Sequence, residues 1–280
     1  SGELKFPTWY RYMNVRRKLI VSLTFLFILW ILTVWISLFS GTYEFNPVEV
    51  FSGNDEMLKT ILLKIRVPRV LMASIAGGVF AISGAALQAL FRNPLASPLT
   101  LGISGGASLG ALIAIRLRLN QGLLGFSSTS ICAFLLSILT IFFVYSVSRI
   151  RGVVATGRLL LAGVVANFLF SALILFIQFF SDFIQSLQTI RWIMGSLDIV
   201  GMDPVWKTCV LIAPPCIVLV SITKDMNLLA LGDDVAHSLG VRVKTVEKTI
   251  YFATSFAVSS VISVTGPIGF VGLIVPHILR

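Results

Sequence analysis

Charge is what this sequence has least of. Asp, Glu, Lys and Arg make up 12% of its 280 residues, about half the share of an ordinary soluble domain. Hydrophobic residues make up 56%, and the mean hydropathy is +0.95. Too little polar side chain remains to cover a soluble fold of this length, so the class is a polytopic membrane protein. Several apolar runs reach the roughly 20 residues that a helical span requires. None alternates as a membrane barrel strand would. An all-α fold follows, because helices satisfy their own backbone inside lipid.

Other scarcities exclude chemistry. No Gly is followed by Lys, so there is no phosphate-binding G-x-x-x-x-G-K loop. Cys132, Cys209 and Cys216 lie inside apolar runs, without metal or disulfide spacing. His237 and His277 have no ligand-spaced partner beyond Asp233 and Asp234, so no metal site is expected. No H-E-x-x-H and no credible Ser/His/Asp set provides a catalytic residue. Asp and Glu are absent from the cores of the spans, where Gln88, Asn167 and Gln178 are the most polar side chains. An ion-coupled carrier usually keeps ionisable groups at that depth. The net charge of +10 comes from basic residues scattered around the spans, which fits membrane topology better than a nucleic-acid face. The chain is therefore not an enzyme by itself, and uphill transport would need energy from a partner.

Eight apolar segments are present, at about 19–39, 70–91, 99–115, 128–147, 156–180, 204–222, 246–265 and 267–279. A basic, aromatic lead, KFPTWYRYMNVRRK, precedes the first and suits a headgroup anchor. With the N-terminus in the cytoplasm, Lys and Arg divide 14 inside to 8 outside, the sense of the positive-inside rule. Small residues recur every fourth position as Ala73, Gly77, Ala81, Ala85 and Ala89, and again as Gly102, Gly106 and Gly110. Such stripes are expected to let helices of a compact bundle approach closely. FRNPLASPLT, Pro214–Pro215 and TGPIGFVGLIVP break the spans, and breaks at membrane depth are tolerated only beside protein or a watery cavity.

Between the sixth and seventh segments lies LLALGDDVAHSLGVRVKTVEK, Leu228 to Lys248. Asp233 is placed to cap a short helix with Asp234 in its first turn. Val235 and Leu239 share a face, and Gly240 is placed to end the helix in a left-handed conformation. MNLLALG reads as a second short helix ending at Gly232. The pair is expected on the cytoplasmic surface, as a docking surface rather than a rest on anionic headgroups, which the acidic pair would not favour.

MNLLALGDDVAHSLGV resembles a cytoplasmic segment of the FecCD-type permease subunits of bacterial ABC importers for iron–siderophore complexes, haem and vitamin B12. Ile65 to Gly110, RLLLAGV (Arg158 to Val164), RWIMGSL (Arg191 to Leu197) and TGPIGFVGLIVPHILR (Thr265 to Arg280) resemble further blocks of that family, in the same order. The resemblance implies one permease domain over 1–280 with coupling helices at 225–240. Leu228, Leu231, Gly232, Asp233, Asp234, Ala236, His237, Leu239 and Gly240 would enter a cleft of a partner ATPase. Arg66 and Arg69 would meet acidic residues of an extracytoplasmic binding protein. Gln88, Asn93, Pro94, Asn167, Gly266, Pro267 and Gly269, at polar or broken positions, are candidates for the pathway and its gate. Partners implied are a second permease, identical or a close paralogue, the binding protein and an ATPase dimer. That dimer carries the ATP and magnesium, and this chain carries no cofactor. The implied location is the bacterial inner membrane, and ferric siderophore is the most frequent cargo, ahead of haem and cobalamin. The family has ten spans, so the last two are expected to be missing here, with a third docking arginine. An ion-driven secondary carrier is the alternative, and a membrane scaffold a third reading.

Overall fold

The computed structural model describes residues 8–40, 56–119, 122, 125–150, 153–154 and 156–279. The chain divides into two compact units, residues 1–70 and 71–280. The first contains α1 (Thr8–Phe39), α2 (Glu56–Ile61), a π-helical turn (Leu62–Arg66) and the start of α3 (Val67–Phe91). The π-turn has a local cause. Pro68 has no N–H, and its ring crowds the carbonyl four residues back. The turn before it is wide, with the Val67 N–H bonded to the Leu62 carbonyl five residues earlier. Arg66 donates from Nη1 to the Leu38 carbonyl at 2.8 Å, satisfying one of the orphan acceptors at the C-terminal end of α1.

The second unit holds most of α3, a 3-10 turn (Pro98–Leu101), α4 (Ile103–Arg116) and α5 (Ser128–Ser148). Two-residue strands β1 (Arg149–Ile150) and β2 (Val153–Val154) pair antiparallel. Then come α6 (Thr156–Phe179), α7 (Phe183–Ile193), α8 (Asp203–Ser221), α9 (Thr223–Ala230), α10 (Asp233–Ser238), α11 (Val243–Thr265) and α12 (Val271–Ile278).

Among the described residues, five helices are long and apolar enough to cross a membrane: 17–39, 56–91, 128–148, 156–179 and 203–221. Three of the eight expected segments depart from that pattern. α4 has 14 residues, α12 has eight, and α11 begins earlier than expected and carries Lys244, Glu247 and Lys248. Burial explains α4 and α11. They are wrapped by α5, α6 and α8 and bury nine of 14 and 13 of 23 residues respectively. A helix enclosed by protein needs no apolar perimeter.

The packing is inside-out relative to a soluble core. α5 turns Ala133, Ser137, Thr140 and Ser148 inward while Leu135, Leu139, Phe142 and Phe143 face outward. Its inward hydroxyls bond carbonyls of their own helix, as Thr140 Oγ1 does to Leu136 at 2.7 Å. Lipid is as apolar as leucine, so helices associate through close packing and polar bonds. Gly106 and Gly110 do this work: an added Cβ would stand 2.1 Å from Thr140 Oγ1 and 2.3 Å from the Cys132 carbonyl. The second small-residue stripe therefore packs as expected. The first does not, since Ala73 and Ala85 are exposed and Gly77 meets nothing within 4 Å. The close approach of α3 comes instead at Gly84, where an added Cβ would fall 1.8 Å from the Gly272 carbonyl of α12. Pro214 and Pro215 sit within α8 without ending it.

Candidate functional site

α9 and α10 form the expected elbow. Gly232 turns between them at φ 129, and Gly240 follows α10 at φ 87, both positions that favour glycine. One expectation is corrected. Gly232, not Asp233, is the N-cap of α10, with no side-chain capping bond; Asp233 and Asp234 both lie in the first turn. There they still face the positive end of the helix.

The apolar residues of the elbow split into two sets. Leu229 and Ala236 are 0% exposed and belong to the main core, with Leu228 packed against it. Leu231, Val235 and Leu239 are 67%, 43% and 60% exposed. Ala236 thus holds the elbow on the bundle and offers no contact surface. Asp234 and His237 are exposed. Asp233 is ion-paired with Arg92, which also donates from Nε to the Leu229 carbonyl at 3.1 Å. A cavity of about 790 Å³ lies beside the elbow, lined by Asp233, Asp234, His237, Arg242, Lys244 and Glu247 among others.

The pathway candidates separate under the same scrutiny. Asn167 Nδ2 donates to the Leu99 carbonyl at 3.0 Å, and its Oδ1 accepts from the Gly105 N–H at 3.2 Å. It clamps the start of α4 and has little left for a ligand. Asn93 Oδ1 accepts from the Leu95 N–H at 2.9 Å, so Asn93 and Pro94 build the turn after α3. Gly266, at φ 67, has the Trp192 carbonyl 2.5 Å from where a Cβ would stand. The Pro267 carbonyl stands equally close to the Cβ position of Gly195. RWIMGSL and TGPIGFVG therefore meet backbone to backbone. Gln88 is 2% exposed, donates to the Leu273 carbonyl at 3.4 Å, and has an unbonded Oε1. Gly269 is exposed with nothing near its Cβ position. Gln88 thus keeps a buried polar atom without a partner, and Gly269 lies in open space.

Sequence reasoning missed α7 and the cavity beside it. Asp182 caps α7, accepting from the Gln185 N–H at 2.8 Å. That bond is the main reason its carboxyl lies below the usual carboxylate range; desolvation opposes it, and Arg118 at 3.2 Å adds to the lowering. Arg116 donates to Gln185 Oε1 at 2.8 Å, joining α4 to α7. The adjoining cavity, about 1090 Å³, is lined by Arg118, Asp182, Gln188, Arg191, Trp192 and Asp198 among others. The Asp182-x-x-Gln185 spacing was a legible helix-start signal.

A helical, multi-pass membrane protein with buried polar helices and a surface elbow is the architecture of a permease. Residues 28–280 match the FecCD transport family. The hemin transport system permease protein HmuU of Yersinia pestis is 38% identical over 272 residues, 96% of this chain and 80% of that protein. The vitamin B12 import system permease protein BtuC of Klebsiella pneumoniae is 36% identical over 264 residues, 94% of this chain and 76% of that one. A solved structure described as an inward-facing, metal-chelate type ABC transporter superposes with a TM-score of 0.78 at 30% identity, covering 92% of this chain and 79% of its own. The chain belongs to the FecCD transport family. It is a permease subunit of a bacterial ABC importer and is not itself the ATPase, which displaces the carrier and scaffold alternatives.

Proposed function

We propose that this permease passes a bulky metal chelate (haem, cobalamin or a ferric siderophore) across the bacterial inner membrane by alternating access. The observation that carries the reading is collinear family similarity along residues 28–280, with relatives for haem and B12 at comparable identity. That similarity moves the tetrapyrroles level with siderophores as cargo.

In this reading residues 1–280 form one permease domain with a cytoplasmic N-terminus. Residues 225–240 are the coupling helices. Two ATPase subunits, holding ATP and magnesium, receive Leu231, Val235 and Leu239, whose exposure supports the role. Arg66 and Arg69 meet the binding protein, and a second permease completes the pathway. Gln88 and Gly269 are the pathway candidates kept; Asn93, Pro94, Asn167, Gly266 and Pro267 shape its walls.

The test is uptake by proteoliposomes containing permease, ATPase and binding protein, offered haem, cobalamin and a ferric siderophore in turn. ATP-dependent accumulation of one chelate is expected. Accumulation that survives without ATP and collapses with the proton gradient would overturn the reading.

A further inference from the structure

Arg92 stands where α3 gives way to the following turn, in the left-handed region at φ 47. Arginine rarely adopts that conformation, and it persists only where neighbouring contacts hold it. Here the contacts are specific. The guanidinium reaches across the glycine corner of the elbow. It bonds the Leu229 carbonyl, in the last turn of α9, and pairs with the Asp233 carboxylate, in the first turn of α10. One side chain therefore ties both arms of the elbow to the end of α3.

The other end of that tie is rigid. The Asn93 N–H bonds the Gln88 carbonyl at 3.3 Å, and Gln88 donates to Leu273 of α12. One turn earlier Gly84 lies against the Gly272 backbone. A continuous chain of backbone contacts and polar bonds runs from the elbow through Arg92 and α3 to α12, the segment that follows TGPIG. Leu229 and Ala236 seat the elbow by apolar contact, which resists separation but not sliding. A forked guanidinium bonded at two points fixes direction as well.

We infer that Arg92 is a positioning residue for transport: it locks the elbow to α3, so that motion at the ATPase is delivered to α3 and α12 as one rigid displacement. The inference rests on the elbow being the ATPase contact. It also reassigns Asp233: its carboxylate is half-exposed but paired with Arg92 of the same chain, which leaves Asp234 as the exposed acidic group of the elbow outside that pair.

The experiment uses the assembled permease–ATPase complex with Cys132, Cys209 and Cys216 replaced by Ser. Spin labels are placed at Leu95, 68% exposed, and at Ser238, also exposed. Distance distributions are recorded with and without ATP and vanadate. Wild type is expected to be narrow in both states. R92A and D233A are each expected to broaden the distribution about twofold, as a pose held by one device gives way to several. R92K, with charge but no fork, falls between them and wild type. The swap R92D/D233R is expected to narrow it again, which a general loss of structure would not do. An R92A distribution as narrow as wild type, or a swap no narrower than the single variants, overturns the inference. L231D/L239D, read by ATPase co-purification, tests the docking premise separately. Retention of the ATPase there sinks the premise, whereas its loss beside a narrow R92A distribution sinks the lock alone.

Discussion

Truncating Leu231 and Leu239 together to Ala is expected to weaken ATPase binding while leaving the permease folded. Both side chains stand clear of the bundle, at 67% and 60% exposed. Each Leu→Ala change removes about three carbon groups, worth about 0.8 kcal/mol apiece when fully buried. With roughly two-thirds of each side chain free to be covered by a partner, the loss is about 1.5 kcal/mol per site. Two sites bring it to about 3 kcal/mol, or about a hundredfold in Kd. The assay is a titration of fluorescent ATPase against the permease in nanodiscs, with the thermal midpoint of each variant measured in parallel. L229A is the contrasting control. Leu229 is 0% exposed within the core, so its truncation is expected to destabilise the permease by about 2–5 kcal/mol. A Kd for L231A/L239A within about threefold of wild type, at an unchanged thermal midpoint, would refute the assignment of this face to the ATPase.

Further outcomes follow from other parts of the molecule. D234K is expected to weaken ATPase binding, whereas D233K is expected to disturb the elbow's own pose because it sets two cations together at Arg92; circular dichroism and ATPase pull-down separate the two. G84V is expected to lower the thermal midpoint in detergent by forcing α3 from the α12 backbone, an overpacking cost of about 1–3 kcal/mol or more, while G77V, with open space around it, is expected to leave the midpoint unchanged. R66E/R69E is expected to weaken binding-protein affinity most at low salt, read by surface plasmon resonance; Arg66 also bonds α1, so the thermal midpoint is measured in parallel. The lowered Asp182 carboxyl stabilises α7 above its ordinary value of 3.8 and ceases to do so as pH falls through the lower folded value. The protection factor of the Gln185 amide, its exchange rate referred to the intrinsic rate at each pH, is expected to fall below that range in wild type and to be low throughout in D182A.

The long apolar helices were legible in the sequence because lipid demands an unbroken apolar surface, which Leu19 to Phe39 and Leu159 to Phe179 supply. The elbow was legible through its punctuation, Gly232 and Gly240, and both turn where glycine is required. The small-residue stripes carried half the truth. Spacing shows that a face is smooth, but not whether that face packs inside this chain or stays uncovered. Gly84 looked no different from Gly77 in the sequence, and only the approach of α12 separates them. α7 was lost to the search for long apolar runs, since an 11-residue helix held by Asp182 and Gln185 at its start makes no such run. The partner of Asp233 was out of reach because Arg92 lies 141 positions away, a pairing that only the fold creates.

The inward placement of Gly, Ser and Thr in α4, α5 and α11 divides the labour between two shells. The outer shell of Leu and Phe is interchangeable, since one oily side chain meets an acyl chain much as another does. The inner shell has no spare volume, and its smallest members are its least replaceable. Adaptation to a thicker, thinner or more fluid bilayer can therefore be written into the perimeter one residue at a time, while the axis through Gly84, Gly106 and Gly272 stays the same.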